Sequence, residues 1–92
     1  MKLVNTTNSY SSLVENQLLN TDASLIKVYS LGRTTVVYTR RPHTIEIVLE
    51  NKHRGIQEPE IKKVVEELLG KNERNTYSLI KNKGLVEISA EL

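Results

Sequence analysis

The residues best suited to acid–base chemistry or metal binding are the two imidazoles of the chain, His43 and His53. The residues between them, 44–50, alternate between apolar and polar in the manner of a β-strand. Ten residues in extended conformation span about 33 Å at ~3.3 Å per residue, so the two imidazoles are expected too far apart to share a substrate or a metal ion. The chain contains no Cys, which excludes thiolate nucleophiles, thiolate metal sites and disulfides.

No catalytic signature joins the other polar residues. The sequence contains no Gly-x-Ser-x-Gly turn, no His-Glu-x-x-His helix, no P-loop and no Gly-x-Gly-x-x-Gly. Asp22 is the single aspartate, and the glutamates of 58–67 stand beside lysines, as on the solvated face of a helix. We therefore predict a protein that is not an enzyme, with no catalytic residue, no cofactor and no metal site.

Basic residues concentrate in two predicted turns, 40–43 and 51–55. The net charge of +2 is too small to indicate nucleic acid or membrane, but between residues 33 and 54 five Lys and Arg outnumber two Glu. Basic side chains combined with turn amides are typical of phosphate-binding sites. Because the two turns lie at opposite ends of one predicted strand, a single phosphate cannot contact both, whereas a duplex or an acidic protein surface can. The candidate anion contacts are Arg33, Arg40, Arg41, His43, Lys52, His53 and Arg54.

The N-terminal part predicts a short strand followed by a helix. Residues 2–4 are the candidate strand, and the polar run 5–9 offers several helix N-caps. Apolar residues then recur at helical spacing, which predicts a helix over 8–20. These residues are Tyr10, Leu13, Val14 and Leu18.

Residues 25–50 are rich in β-branched and aromatic types and predict a meander of three strands. Gly32 permits the first turn, and Pro42, which lacks a backbone N–H, favours the second. Two-residue turns at 31–32 and 41–42 would place seven apolar side chains on one face, whereas an odd-length turn would flip a strand. These seven are Leu25, Tyr29, Val36, Tyr38, Ile45, Ile47 and Leu49.

The second helix is the clearest element of the sequence. Apolar residues repeat at i, i+3, i+4, i+7 and i+8 from Ile61 to Leu69, Pro59 suits the first helical position, and Gly70 supplies the C-terminal stop.

The tail is ambiguous. Residues 85–89 predict a strand, and 73–82 is either a strand that forms a hairpin with it or a third short helix, of which the helix is favoured. The residues expected in the core are Leu13, Val14, Val36, Ile45, Ile47, Leu49, Val64 and Leu68.

These elements predict one α+β domain over 1–92: a mainly antiparallel sheet, in the order β-α-β-β-β-α-β with the uncertain segment 73–82, and helices packed on one face. Two short helices cannot cover both faces of such a sheet, so an apolar patch is expected on the second face. Such a patch typically marks an interface, most often a two-fold homodimer; the alternative is that the tail covers it. The candidate self-association residues are Ile26, Val28, Val37 and Val48.

The predicted function is a small non-enzymatic interaction or regulatory module that self-associates and binds a protein partner not identified by the sequence. The alternative is a binder of nucleic acid or of another anion through the basic turns between Arg33 and Arg54. A winged helix-turn-helix over 61–88 is a weaker alternative, because the first half of the chain predicts strands where that fold has helices. No apolar run is long enough to cross a membrane and no apolar segment follows the N-terminus, so we expect a cytoplasmic protein without membrane contact.

Three segments carry a resemblance to a known family: MKLVNTTNSY at 1–10, VYSLGRTTVVYT at 28–39 and LENKHR at 49–54. In these segments the chain resembles a family of short proteins from streptococci, enterococci and related lactic-acid bacteria, classed as a domain of unknown function. The resemblance covers most of 1–69 and fades in the tail. It implies a cytoplasmic bacterial protein and brings no reaction, cofactor or site residue.

Overall fold

The structure is a computed structural model and describes residues 2–70 and 77–92. Its helices and strands follow one another broadly in the order that the sequence predicts. A 3₁₀ turn precedes the first helix, and a π-helical turn ends the second. The strands are β1 (Leu3–Asn5), β2 (Leu25–Leu31), β3 (Thr34–Arg40), β4 (Thr44–Glu50), β5 (Tyr77–Asn82) and β6 (Leu85–Glu91). The helices are α1 (Ser11–Asn20), preceded by the 3₁₀ turn Thr7–Tyr10, and α2 (Glu58–Val64), continued by the π-helical turn Val65–Leu69.

The six strands form one antiparallel sheet in the order β1-β2-β3-β4-β6-β5. Both meander turns differ from the predicted ones: Leu31 lies opposite Thr34 across a turn at 32–33, and Arg40 lies opposite Ile45 across the loop 41–44. Each difference shifts the pairing by two residues. Because side chains alternate with period two, an even shift keeps every side chain on its predicted face. The seven apolar residues predicted to share a face therefore do so.

The two helices lie on opposite faces of the sheet, which corrects the prediction that both pack on one face. The apolar residues of α2 join the main core with side chains from β2, β3, β4 and β6; we call this side the α2 face. On the other side, the α1 face, Val14 and Ala23 pack over Ile26 and Val28 of β2. The α+β class and the mainly antiparallel sheet are confirmed. The helix placement could not be read from the sequence, because either face of β2 offers apolar side chains.

The core occupies the α2 face and is built from the residues that the alternation predicts. Of the eight predicted core residues, Val14 is buried in the smaller cluster on the α1 face. Val36, Ile47, Leu49 and Val64 are buried in the main core. Ile45 and Leu68 are partly buried at its margin. The prediction for Leu13 is wrong, since 53% of this residue is exposed. Val14 is the one buried residue of α1, and its neighbour in the helical stripe, Leu13, remains at the surface.

Local signals explain where α2 begins and ends. The Gln57 side chain accepts from the backbone of Glu60, and the backbone N–H of Gln57 donates to the Glu60 carboxylate at 2.9 Å, which together form a capping box. Pro59 occupies the first turn, where its missing N–H costs no hydrogen bond. Gly70 follows the last turn with φ +81°, a conformation that glycine adopts without strain.

The tail forms a hairpin, so the favoured helix over 73–82 is wrong for the residues that the structure describes. Tyr77–Asn82 is a strand, β5, that pairs with β6 from Tyr77 opposite Ala90 to Asn82 opposite Leu85. Residues 73–76 of that prediction lie outside the described residues. The strand at 85–89 is confirmed and extends to Glu91. The strand β5 stands where a winged helix-turn-helix requires its recognition helix, which removes that alternative.

Gly84 is the position where the chain tolerates no side chain. Its φ is +75°, and a Cβ built there would lie 2.7 Å from the backbone oxygen of Asn51, which is too close for any real contact. Gly32 has a similar φ of +60° but nothing within 4 Å of its Cβ position. We expect Gly84→Ala to lower the free energy of unfolding by about 2–3 kcal/mol and Gly32→Ala by about 1 kcal/mol. Urea denaturation of both variants checks this; equal costs would show that the close approach to Asn51 relaxes freely.

Candidate anion-binding groove

One end of the sheet gathers basic residues that are distant in sequence. Arg33 lies in the β2–β3 turn, and Lys52 and His53 follow β4 directly. Because β3 and β4 are antiparallel neighbours, with Thr35 opposite Glu50, the turn before β3 and the loop after β4 meet at the same end. Arg33, Lys52 and His53 line one groove there. The structure thus brings together three of the seven predicted anion contacts.

The groove runs between α1 and the strands β3 and β4, on the α1 face. Its volume is about 400 Å³ and it is open to solvent along one side. Tyr10 and Leu13, which are 40% and 53% exposed, form its apolar wall. Thr35 contributes a hydroxyl and Glu50 the one carboxylate among its lining residues. The groove therefore combines an apolar wall with a cationic rim.

A buried polar network holds the loop that carries Lys52 and His53. The Asn51 carboxamide donates to the Thr34 hydroxyl at 3.2 Å, and that hydroxyl donates to the Glu60 carboxylate at 3.1 Å. The Asn51 side-chain oxygen accepts the backbone N–H groups of His53, at 2.9 Å, and Arg54, at 3.2 Å. Thr34, Asn51 and Glu60 are all buried. The network fixes the backbone that carries the Lys52 and His53 side chains.

Arg54 belongs to this network and not to the groove. Its guanidinium makes a two-armed ion pair with Glu60, one arm of which is 3.1 Å long. This hydrogen bonding, opposed by the burial of the carboxyl and assisted by the donors from Gln57 and Thr34, holds the pKa of Glu60 below its ordinary value. The same pairing raises the pKa of Arg54. Arg54, predicted as an anion contact, is therefore neutralised within the chain.

The other predicted contacts, Arg40, Arg41 and His43, lie at the opposite end of β4. The two basic turns thus lie at opposite ends of β4, as predicted, which is too far apart for a single phosphate to contact both. Arg41 pairs with Asp22 and with Glu46, the latter at 3.4 Å, and these contacts raise its pKa. The backbone oxygen of His43 accepts the N–H of Leu92 at 3.0 Å. In this second basic turn, the charge of Arg41 is therefore already balanced by Asp22 and Glu46.

Sequence reasoning missed the apolar half of the groove. Tyr10 and Leu13 carry the helical spacing of a buried stripe, and nothing in that spacing distinguishes a core wall from a groove wall. Leu13 was expected in the core for this reason. The mostly polar composition of 11–20 is the one signal that α1 covers little of the sheet.

The predicted self-association face is largely covered by the chain itself. Ile26 and Val28 are buried beneath α1, so the prediction is wrong for these two residues. Val37 is partly buried against the same cluster, and Val48 is partly buried among glutamates, with Glu87 directly opposite. The expectation that two helices cannot reach both faces fails because each helix takes one face.

The described ranges, 2–70 and 77–92, contain neither a metal-binding cluster nor a membrane-spanning helix. No group of three or more His, Asp or Glu side chains could hold a metal ion together there. No helix in the same part of the chain is both long enough and apolar enough to span a membrane.

Fold and site together define a small α+β domain whose antiparallel sheet carries one helix on each face and a cationic groove beside the first helix. The chain belongs to the family described as a domain of unknown function (DUF1827), which matches residues 1–91. The family resemblance seen in the sequence is thereby confirmed, and it extends through the tail.

A solved structure shares the whole fold. It is described as a conserved protein of unknown function from Streptococcus thermophilus LMG 18311, and it is 37% identical to this chain with a TM-score of 0.91. The similarity covers 99% of this chain and 96% of that chain. No protein in the search of curated sequences matches the chain.

Proposed function

We propose that this protein is a binding module for a compact anion that also carries an apolar or aromatic part, held in the groove between α1 and the β3–β4 end. The observation that supports the proposal is the meeting of Arg33, Lys52 and His53 opposite the exposed side chains of Tyr10 and Leu13. Concave sites with mostly apolar walls and a few convergent polar groups are typical of small-ligand binding. Arg and Lys supply the charge-assisted hydrogen bonds that carboxylates and phosphates accept.

The charges around the groove are available to a ligand. Among the ion pairs within the described residues, none involves Arg33 or Lys52. Arg54, by contrast, is held by Glu60, and Arg41 by Asp22 and Glu46. Two cations beside an apolar wall favour an anion with a single charged group and an apolar body.

A long polyanion fits this surface less well than a compact one. The second basic turn lies at the far end of β4, and Arg41 there is already paired with carboxylates. Glu50 lines the groove itself and would repel a second phosphate. Nucleic acid, the broader alternative, would need both ends of the sheet to contribute cations.

The test is an amide-detected NMR titration with phenyl phosphate and, separately, with inorganic phosphate. We expect phenyl phosphate to shift the resonances of Leu13, Arg33 and His53 and to bind more tightly than inorganic phosphate, because the ring contacts the apolar wall. Arg33→Gln and Lys52→Gln each remove one charge-assisted contact, and each should weaken phenyl phosphate binding by about tenfold or more. Lys62→Gln, on the exposed side of α2, is the matched control and should leave binding unchanged.

Two outcomes would contradict the proposal. The first is no saturable shift at millimolar phenyl phosphate, or an equal loss in Lys62→Gln. The second is tight binding of a mixed-sequence oligonucleotide whose salt dependence flattens by roughly two units when Arg40 and Arg41 are both replaced by Ala, since this would place phosphates on the opposite turn.

A further inference from the structure

Within the described residues the sheet has one long open edge, which the proposed groove does not involve. The edge strands are β1, with three residues, and β5, with six. The inner side of β5 pairs with β6 along its whole length, while its outer side pairs with no strand in the part of the chain that the structure describes. An edge strand presents a row of backbone N–H and C=O groups that another strand can pair with.

Two of the common protections of an open edge, a proline and a β-bulge, are absent from β5. Tyr77–Asn82 contains no Pro, and its register with β6 runs without a bulge. Its one charged side chain, Lys81, is engaged by Glu58 of the same chain. Ile80, on the α1 face of the sheet, is 58% exposed. The backbone of this edge is therefore complementary to a further strand.

We propose that two copies of this chain pair through β5, antiparallel about a two-fold axis at Ile80, so that two six-stranded sheets become one of twelve strands. In this register Ile80 lies opposite its counterpart, Leu79 opposite Lys81, and Ser78 opposite Asn82. The paired residues are all of the same parity, so the α1 face and the α2 face each continue across the axis. No two like charges lie opposite each other.

The second copy is the occupant that this edge favours. Self-pairing about a two-fold axis closes after two chains, and it joins the exposed Ile80 side chains in a cross-strand pair. Pairing of β5 with β1 of another copy would match six residues with three and would continue without closing. Because one six-residue strand contributes less than the ~1,200 Å² of a standard interface, we expect a weak dimer, with a dissociation constant of about 10–100 µM.

Sedimentation equilibrium between about 10 and 500 µM tests the pairing. We expect the mass of the unmodified chain to rise from 10.5 kDa toward twice that value with concentration. Ile80→Lys places two lysines opposite each other and should keep the protein monomeric across the range. Val4→Lys is the matched control, since Val4 is 47% exposed on the α1 face of the opposite edge strand, and it should dimerise like the unmodified chain.

Cross-linking supplies a second readout that does not depend on a charge. The chain contains no Cys, so Ile80→Cys introduces a single thiol. Residues directly opposite in an antiparallel pair have Cβ atoms about 4.5–5.5 Å apart, close enough for a disulfide after a small adjustment. On mild oxidation at 100 µM, roughly the upper limit of the expected dissociation constant, Ile80→Cys should form covalent dimers at least about tenfold faster than Val4→Cys.

Four results would overturn the proposal. One is a mass that stays at 10.5 kDa up to 500 µM for the unmodified chain. Another is a dimer that Ile80→Lys leaves intact while its folding, checked by circular dichroism, is unchanged. A third is a mass beyond that of a dimer that both lysine variants reduce, which would indicate β5–β1 pairing in an open chain. The last is equal cross-linking rates for the two cysteine variants.

Discussion

Leu49→Ala is expected to lower the free energy of unfolding by about 4 kcal/mol, the largest effect of any single substitution considered for this protein. Leu49 has no exposed surface and lies on β4, near the middle of the sheet, paired with Val36 on one side and Val86 on the other. Its removal takes apolar surface out of the main core and leaves a cavity that close-packed neighbours fill only in part. Domains of this size are stable by roughly 5–15 kcal/mol, so the variant loses a large part of its stability.

Leu13→Ala is the informative control for this prediction. The helical spacing predicts burial of Leu13, whereas the structure leaves it 53% exposed on the wall of the groove. We expect it to cost less than about 1 kcal/mol, as for other exposed positions. Urea denaturation followed by circular dichroism gives both values. A cost above 2 kcal/mol for Leu13→Ala would show that α1 packs more deeply than the structure describes.

Glu60→Gln is expected to lower the free energy of unfolding by about 3 kcal/mol at pH 7. The Glu60 carboxylate is buried and accepts hydrogen bonds from Arg54, Thr34 and the backbone of Gln57. An amide of the same shape keeps fewer of these bonds and removes the charge that balances Arg54. The Arg54 side chain is 43% exposed, so water compensates part of the loss on that side.

The cost of Glu60→Gln should depend on pH in a definite direction. The folded-state pKa of Glu60 lies below its ordinary value of 4.5, chiefly because Arg54 hydrogen-bonds to the ionised form. A carboxyl with a depressed pKa stabilises the folded state above that ordinary value, and the contribution is lost as the pH falls through the folded-state pKa. The difference in unfolding free energy between the unmodified chain and Glu60→Gln should therefore be full at pH 7 and shrink steadily below about pH 4.5.

Glu87→Gln controls for the loss of a negative charge alone. Glu87 is exposed on β6, and no ion pair within residues 2–70 and 77–92 involves it. We expect it to change stability by less than about 0.5 kcal/mol. If Glu60→Gln proves equally mild, the polar network does not stabilise the fold, and the loop bearing Lys52 and His53 must be positioned by other contacts.

Glu60 also links the stability of the domain to its proposed function. The network through Thr34 and Asn51 orders the start of the β4–α2 loop, where the Asn51 side chain accepts the backbone N–H of His53. Loosening this network should weaken anion binding in the groove even though Glu60 does not line it. The Lys52 and His53 side chains are thus positioned by a residue on the other face of the sheet.

Much of the fold could be predicted from the sequence because period and composition act locally. The β-branched run 25–50, interrupted at Gly32 and Pro42, predicts the meander, and both turns were displaced by an even number of residues, which preserves the faces. The stripe from Ile61 to Leu69, with Pro59 before it and Gly70 after it, predicts α2. The favoured helix is wrong for residues 77–82, because a short segment with mixed composition has no decisive period and pairing with β6 determined the conformation of these residues.

The candidate site, too, could be predicted from the sequence only in part. The sequence indicated Arg33, Lys52 and His53 as candidate anion contacts by their charge and their position in turns, but it placed them in a set of seven. Only the antiparallel neighbourhood of β3 and β4 separates these three from Arg40, Arg41 and His43. Only the packing of α1 supplies the apolar wall, and only the contact with Glu60 removes Arg54 from the set.

By itself, the sequence determined the class of the fold, most of its strands and both helices, and which apolar side chains share the face that α2 covers. These properties follow from hydrophobic periodicity and from the restricted backbone of Gly and Pro, which operate within a few residues. The tertiary structure alone decided that α1 lies on the opposite face, that β6 lies between β4 and β5, and that one end of the sheet carries a groove. Those outcomes depend on contacts between segments far apart in the chain, where several arrangements bury similar apolar area and only the packing of the whole domain selects one.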